Sequence, residues 1–251
     1  MINNKLKKKV REKNLQIFWI TNPNVINIEI AVDTNYFDIF VIDYEHSLIL
    51  TQEIISTILF LNSRNVPVFM RFAKFNIKDA PKFLDFGING IIASDVNSYE
   101  NFLEIKDLIF YPKIGKRGVG LGRMNNHGDN FNHYLKKINK SLVFLPMIEK
   151  NISLIEIEKI FKSNYSDGCL IGPYDLSMSI GSPGNFKNPK FKKIENFIIK
   201  MSRKYKKAAG LHFMNKNYKK LPLIKKSGFN FLPILTDVQF FKIGIELIAK
   251  K

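Results

Sequence analysis

Eight short apolar runs dominate this sequence and restrict the folds open to it. They span residues 15–20, 37–43, 66–71, 88–94, 142–149, 167–172, 208–214 and 229–235. Their apolar residues follow one another without regular polar alternation, which is typical of strands buried on both faces, as in a parallel sheet. The sequence therefore predicts eight strands of this kind.

Segments with helical periodicity lie between many of these runs, at 24–35, 50–65, 77–87, 151–164, 189–207 and 218–228. Eight strands alternating with helices over 251 residues predict an α/β fold, the (β/α)8 TIM barrel, as a single domain over 1–251. An open doubly wound sheet is the alternative. That fold usually carries a Gly-rich phosphate-binding turn after its first strand, whereas "WITNPNV" follows here.

The formal net charge of +17 raises the question of a nucleic-acid partner. Only six of the 39 basic residues are arginine, the side chain suited to bidentate recognition of phosphates and bases. The lysines are also spread along the whole chain. Solvated lysine-rich faces are therefore favoured over a binding surface, and we expect neither a nucleic-acid nor a membrane partner.

The single cysteine and the first residues indicate the compartment. Cys169 stands in the apolar run "GCLIG" and is interpreted as a small core residue. In the segment "MINNKLKKKVREKNLQIFWI" a basic stretch precedes a short apolar part that is broken at Asn22 and Pro23, too short for a signal peptide or a membrane span. These features predict a cytoplasmic protein.

Polar residues recur where the predicted strands end. They are Asp43, Glu45, His46, Arg71, Glu149, Asp175, His212, Thr236 and Asp237. Because active sites of this barrel are built at the carboxyl ends of the strands, their convergence predicts a functional site there.

Each of these residues also has a structural alternative. Arg71 would equally serve as a bridge between two acidic loops. Glu149 would stabilise the amino terminus of the following helix, and Asp175 would cap the turn after a proline. His46 alone is more typical of a hydrogen-bonded structural histidine.

The ligand types favour a particular class of metal. Carboxylates without a cysteine or a histidine pair at ligand spacing indicate a hard divalent ion, Mg²⁺ or Mn²⁺, and not a structural zinc. Two protein ligands would leave coordination positions for water and an oxygen-rich substrate.

Several motifs together resemble the HpcH/HpaI aldolase family. They are "FVIDYEHS", "VPVFMR", "LDFGINGII", "YPKIGKRGVGLGR", "PMIE" and "DGCLIGPYDLSMSIGSPGN", and the resemblance covers about residues 15–241. It implies a barrel of the phosphoenolpyruvate/pyruvate type and a class II aldolase that cleaves or forms 4-hydroxy-2-oxo acids. Pyruvate and an aldehyde would be its small-molecule partners, with Mg²⁺, Mn²⁺ or Co²⁺ as the metal.

The resemblance also implies roles for individual residues. Glu149 and Asp175 correspond to metal ligands, and Arg71 to the arginine that stabilises the pyruvate enolate. His46 corresponds to the catalytic base, with Asp43 close to it in the same motif.

Further correspondences concern the carboxylate of pyruvate and the assembly. Gly172, Tyr174 and Asp175 correspond to the segment that binds this carboxylate. Asp85 corresponds to an aspartate that supports the base, but it precedes the fourth strand. It would reach His46 only on a neighbouring subunit, so the resemblance implies a homo-oligomer (a dimer, trimer or hexamer).

The sequence departs from the family pattern at three places. Met147 stands where many members have glutamine, 93–97 replaces a proline-containing segment, and His212 replaces an aliphatic residue. The His212 difference indicates either another aldehyde or a structural histidine. Arg123 and the loop 111–128 are candidates for contact with the far end of the substrate.

One alternative function stands beside this chemistry, and a class I mechanism is disfavoured. A lyase or hydrolase of acyl-CoA esters would use the same metal and enolate chemistry and is the alternative function. A Schiff-base aldolase needs a desolvated lysine inside the barrel, and the apolar runs contain none.

Overall fold

The computed structural model describes residues 4–47 and 49–249, and its strands close into a parallel barrel. Each strand pairs in parallel with the next, and β1 pairs with β8. The predicted fold and all eight predicted strands are confirmed. The strands are β1 Leu15–Ile20, β2 Ile39–Asp43, β3 Val68–Phe72, β4 Gly90–Ala93, β5 Val143–Ile148, β6 Gly168–Ile171, β7 Ala208–Leu211 and β8 Phe231–Pro233.

Helices surround the barrel. They are α1 Asn4–Glu12, α2 Val25–Asp33, α3 Thr51–Ser63, α4 Ala80–Phe86, α5 Tyr99–Ile109, α6 Phe131–Ser141, α7 Leu154–Lys162, α8 Pro173–Ser179, α9 Pro189–Tyr205, α10 Leu221–Ser227 and α11 Asp237–Ala249. The six predicted helices correspond to α2, α3, α4, α7, α9 and α10. Side-chain oxygens of Asn24, Ser98 and Ser153 accept backbone amide hydrogens at the starts of α2, α5 and α7, as expected for amino-terminal caps.

The strands contribute to two apolar layers. In β1, Ile17 and Trp19 belong to the cluster inside the barrel, whereas Phe18 and Ile20 pack in the layer under the helices. Successive strand residues point to opposite faces of a sheet, and here both faces are buried. This double burial explains why the runs are continuously apolar.

The amino-terminal end of the barrel is closed by α1. Its Leu6 and Val10 join the interior cluster. Arg11 Nη2 lies 2.6 Å from the buried Asp167 Oδ1, and Lys7 Nζ lies 3.5 Å from Asp167 Oδ2. A buried carboxylate is thus neutralised by two cations at this end.

None of the helices within residues 4–47 and 49–249 combines the length and apolar character needed to cross a membrane.

Candidate active site

The inward-facing side chains become polar where the strands reach the carboxyl end of the barrel. The interior cluster contains Val41, Phe69, Met147 and Leu170. Two residues further along each strand, on the same face, stand Asp43, Arg71, Glu149 and Gly172. The strand periodicity itself therefore brings these candidate residues to one mouth.

Arg71 is bound on three sides by other residues of this mouth. Its Nε donates to Asp43 Oδ1 at 2.9 Å, and its Nη2 donates to Asp43 Oδ2. The guanidinium carbon lies 5.3 Å from the centre of the Trp19 ring, within range of a cation–π contact. Trp19 Nε1 also donates to Asp43 Oδ2 at 3.1 Å. The guanidinium is therefore held in one orientation.

Asp43 also organises the turn that carries His46. Its Oδ1 accepts the backbone amides of Glu45 and His46 at 3.0 and 3.2 Å. Burial alone would raise the pKa of this carboxyl group, but Arg71 and the other donors hold it below its usual value. Asp43 is thus a charged anchor for Arg71 and for the turn.

Glu45 is a member of the site that sequence reasoning left without a role. Its Oε2 lies 2.9 Å from Arg71 Nη1, an ion pair that does not have the geometry of a directed hydrogen bond. Burial opposes the charge on Arg71, yet Asp43 and Glu45 outweigh it and raise the arginine pKa. Arg71 thus pairs with two acidic residues of one segment, the end of β2 and the turn after it, and does not bridge two separate acidic loops.

Glu149 is the most strongly perturbed carboxyl group at the mouth. It is 3% exposed, and its Oε1 accepts the backbone amide of Asp95 at 2.6 Å. Burial raises its pKa to about 7, and the negative charges of Glu45 and Asp175 contribute in the same direction. Glu149 is not in the first turn of α7, which begins only at Leu154.

The second oxygen of Glu149 faces a space that only glycine leaves open. A Cβ atom added at Gly172 would lie 2.8 Å from Glu149 Oε2. Asp175, in the first turn of α8, is exposed and adds a second carboxylate nearby. An all-oxygen set with excess negative charge suits Mg²⁺ or Mn²⁺.

The number of protein ligands at this position is small. Among residues 4–47 and 49–249, no three or more His, Cys, Asp or Glu side chains are grouped so as to hold a metal ion. Two carboxylates would bind an ion only together with water or substrate oxygens. The residues present therefore fit an ion that shares its coordination with a ligand.

The predicted base and its predicted partner lie far apart within one chain. His46 is exposed on the turn after β2, at the carboxyl end of the barrel. Asp85 is in α4, before β4, and its Oδ1 accepts from Arg117 Nη2 at 2.6 Å. A Cβ added at Gly120 would lie 2.3 Å from Asp85 Oδ2. The glycine-rich loop is thus built around Asp85.

Arg123, predicted to contact the far end of the substrate, lies away from the mouth of its own barrel, and this contact stays a prediction. Arg123 Nη1 donates to the Phe86 carbonyl at 3.1 Å, beside Asp85. The loop follows α5, which returns the chain to the amino-terminal end of the barrel.

His212 lies at the end of β7, against the same tryptophan that supports Arg71. Its ring centre is 4.6 Å from that of Trp19, and Nε2 lies 3.0 Å from the Leu235 carbonyl oxygen. Burial lowers the His212 pKa to about 4, so the ring is neutral at neutral pH. A neutral ring that donates from Nε2 keeps Nδ1 as an acceptor.

Neither a strand lysine nor Cys169 belongs to this mouth, and Lys150, just after β5, pairs with Asp95 at 3.1 Å. The eight strands contain no lysine. The most perturbed lysine, Lys207, precedes β7 at the amino-terminal end. Burial lowers its pKa to about 8, and it donates to the Ser163 carbonyl. Cys169 is buried, and burial raises its thiol pKa, as expected for a core residue.

Comparison with known proteins gives the same picture. The sequence profile of the HpcH/HpaI aldolase/citrate lyase family matches residues 16–231. A 2-keto-3-deoxy-L-rhamnonate aldolase from Salmonella gallinarum is 30% identical over 216 residues, which cover 84% of this chain and 79% of that protein.

Two solved structures illustrate the fold similarity. An HpcH/HpaI aldolase/citrate lyase family protein from Burkholderia cenocepacia superimposes with a TM-score of 0.87 at 20% identity, covering 99% of this chain and 98% of that one. The protein CitE from Mycobacterium tuberculosis, in complex with magnesium and pyruvate, gives 0.57 at 11% identity, covering 92% and 88%.

Proposed function

This chain belongs to the HpcH/HpaI aldolase/citrate lyase family and is a carbon–carbon lyase, and we propose that it cleaves a 4-hydroxy-2-oxo acid reversibly to pyruvate and an aldehyde. The observation that carries the proposal is Glu149. Its buried carboxyl group faces a space left by Gly172, next to the fixed guanidinium of Arg71. This pairing suits a 2-oxo acid, whose oxygens need a cation and a hydrogen-bond donor.

Glu149 and Asp175 would hold the divalent ion, and Mg²⁺ or Mn²⁺ fits their oxygen ligands. When bound, such an ion polarises the 2-oxo group as a Lewis acid and lowers the energy of developing negative charge. The related protein with magnesium and pyruvate supports this choice of ion and ligand.

Arg71 would stabilise the negative charge that develops on the C2 oxygen. Asp43 engages Nε and one Nη2 hydrogen, and a guanidinium carries five N–H donors, so further donors remain at Nη1 and Nη2. Because Asp43 and Trp19 already fix its orientation, little reorganisation accompanies the reaction. The free amides in the first turn of α8, at Tyr174 and Asp175, would bind the C1 carboxylate.

His46 would act as the general base. The 4-hydroxyl proton passes to the imidazole, directly or through a water, and the C3–C4 bond breaks. Its electron pair forms the pyruvate enolate while the aldehyde departs. A proton then returns to C3 and gives pyruvate, so that atoms and charge balance.

Asp85 of a second subunit would orient this imidazole, which requires a homo-oligomer. The distance within one chain supports the proposal, because His46 and Asp85 lie at opposite ends of the barrel. The apolar side chains on α11 support it as well, since they would be covered by another subunit. The exposed residues are Val238, Phe241, Ile245, Leu247 and Ile248.

Proton exchange at pyruvate C3 tests the chemistry without an aldehyde. Pyruvate in D2O with Mg²⁺ or Mn²⁺ should lose its methyl proton signal in the NMR spectrum, and a chelator should stop this loss. Products formed from pyruvate and a panel of aldehydes would then be identified by mass. Exchange that continues unchanged with the metal chelated would exclude the proposal.

A mixing experiment tests the shared base. His46→Ala and Asp85→Ala should each be inactive in cleavage, and their mixture should recover activity after subunit exchange. No recovery in hetero-oligomers of verified composition would rule out a base assembled from two subunits. Malyl-CoA and citramalyl-CoA, run in parallel, distinguish the acyl-CoA alternative.

A further inference from the structure

A cavity of about 400 Å³ opens beside the candidate active site. It lies between the segments that follow β6 and β7 and the helices α9 and α10. Its volume falls in the range of cavities that bind whole small molecules. Its lining residues include Tyr174, Phe186, Phe191, Phe213, Met214 and Ile224.

The walls of this cavity are mainly aromatic and apolar. The Tyr174 and Phe186 rings meet edge to face with centres 5.2 Å apart, and the Phe186 and Phe191 centres are 5.6 Å apart. Phe213 and Met214 also line it. Hydroxyl groups placed against these walls would lose their water without gaining partners, which costs free energy.

Two residues of the cavity wall link it to the reaction site. Tyr174 immediately precedes Asp175, one of the two carboxylates at the proposed metal position. His212 lines the cavity and contacts Trp19, which holds Asp43. Through these two residues the cavity adjoins the reaction site, and the far end of a substrate held at Glu149 and Arg71 would extend toward it.

Cationic groups lie at the rim. Lys216 and Lys220 both line the cavity. Lys216 Nζ is 2.8 Å from Glu246 Oε2 of α11, so its charge is already paired. Lys220, in the short 3-10 helix before α10, is exposed.

We propose that this cavity binds the aldehyde-derived half of the substrate, and that this half is an apolar, preferably aromatic group with an acid function at its far end. The inference rests on the proposed aldolase function and adds a substrate class to it. Aromatic walls receive the ring, and Lys220 pairs with the distal carboxylate. The C3–C4 bond remains at the metal, so the chemistry is unchanged.

Three aldehydes test the inference in aldol addition to pyruvate with Mg²⁺. We expect kcat/KM to fall at least tenfold from 4-carboxyphenylacetaldehyde to phenylacetaldehyde, and again from phenylacetaldehyde to glyceraldehyde. The first step measures the acid function, and the second measures the apolar walls. A higher kcat/KM for glyceraldehyde than for phenylacetaldehyde would overturn the inference.

Paired variants locate the effect in the cavity. Ile224→Trp should fill it and lower kcat/KM for phenylacetaldehyde at least 20-fold, with less than a twofold change for glyceraldehyde. Leu223→Trp, at an exposed neighbouring position outside the lining, is its control.

Lys220→Gln should lower kcat/KM tenfold for the carboxylated aldehyde only, with Lys219→Gln as control. Equal effects within either pair would refute the assignment.

The pyruvate exchange reaction distinguishes a failure of the aldolase function from a failure of the cavity assignment. Exchange should be unchanged in Ile224→Trp and Lys220→Gln, because it involves no aldehyde. If the wild-type protein shows no exchange, the aldolase function fails. Calorimetric titration with 4-carboxyphenylacetate, with and without Ile224→Trp, then decides whether the cavity binds this class. No binding by the wild-type protein in that titration would refute the cavity assignment on its own.

Discussion

Two buried carboxyl groups at opposite ends of the barrel, Asp167 and Glu149, have their charges treated in opposite ways. At the amino-terminal end, Asp167 meets the cations Arg11 and Lys7 and accepts the amide of Phe144. At the carboxyl end, Glu149 accepts only the Asp95 amide, and burial together with Glu45 raises its pKa to about 7. The charge of Asp167 is balanced by groups of the chain itself, whereas a charge on Glu149 would be balanced by an added cation.

This difference separates stability from function within one barrel. A paired buried carboxylate contributes to the fold, whereas one with a raised pKa destabilises the folded protein when it ionises. Strongly perturbed groups in a cleft are typical of functional sites for this reason. The following changes test whether the two ends divide their roles in this way.

The largest effect is expected from Glu149→Gln. Loss of one metal ligand should lower metal-dependent pyruvate exchange at least 1,000-fold. The metal-free variant should nevertheless be more stable at pH 8, by about 3 kcal/mol, because the raised pKa no longer opposes folding. Denaturant unfolding with a chelator present measures the stability. A variant that is both inactive and less stable would contradict the division of roles.

Asp167→Asn is the matched change at the other end. It leaves Arg11 and Lys7 beside a neutral group, and breaking a buried pair of this kind costs about 3 kcal/mol. Exchange activity per folded molecule should stay within twofold of the wild type. Urea unfolding curves and activity below the transition give both quantities. A specific loss of activity without loss of stability would show that the ends are coupled.

Arg71→Lys should reduce kcat/KM by about 10- to 100-fold. Lysine keeps the charge but cannot form the two parallel bonds to Asp43, and hydrogen bonds to charged groups contribute about 1.5–3 kcal/mol. Arg64→Lys is the control, since Arg64 pairs with Glu29 on the outer surface. Equal, small effects of both changes would remove Arg71 from the catalytic proposal.

The smallest predicted effect is a pH dependence of Mg²⁺ affinity. Between pH 4.5 and about 7, Glu149 binds more protons in the folded than in the unfolded state, so metal-free stability falls as pH rises through this window. The metal must displace this proton, so its Kd should increase tenfold for each unit below pH 7. Calorimetric titration from pH 5.5 to 8 measures it. A Kd that does not change with pH would show that Glu149 is not a ligand.

The barrel was predictable because its strands are buried on both faces and are therefore continuously apolar. Helix α1 escaped prediction because only its Leu6 and Val10 are buried, among many lysines. Helix α11 escaped for the opposite reason. Its exposed apolar residues Phe241, Ile245 and Ile248 stand beside Phe240 and Ile243, which pack against the core, so its apolar pattern does not mark out a single buried face.

The candidate site was predictable where its residues lie at or next to the carboxyl ends of strands, as Asp43, Arg71 and Glu149 do. The amide of Asp95 that holds Glu149 was not, because a backbone donor carries no residue signature. Asp95 has a left-handed backbone with a φ of 57°. Aspartate tolerates this region better than most residues, and that is the one hint the sequence contains. The Glu45–Arg71 ion pair depends on the path of the turn, which no local pattern specifies.

The alternation that carries Val41 to Asp43, Phe69 to Arg71 and Met147 to Glu149 limits how this barrel can be engineered. If one residue were inserted into such a strand, the polar side chain at its end would point outward, toward the helices. An apolar side chain would then point into the mouth. If two residues were inserted, the polar side chain would again point into the mouth, but it would lie two residues further along the barrel axis. The strands of this enzyme can therefore be lengthened or shortened only in even steps.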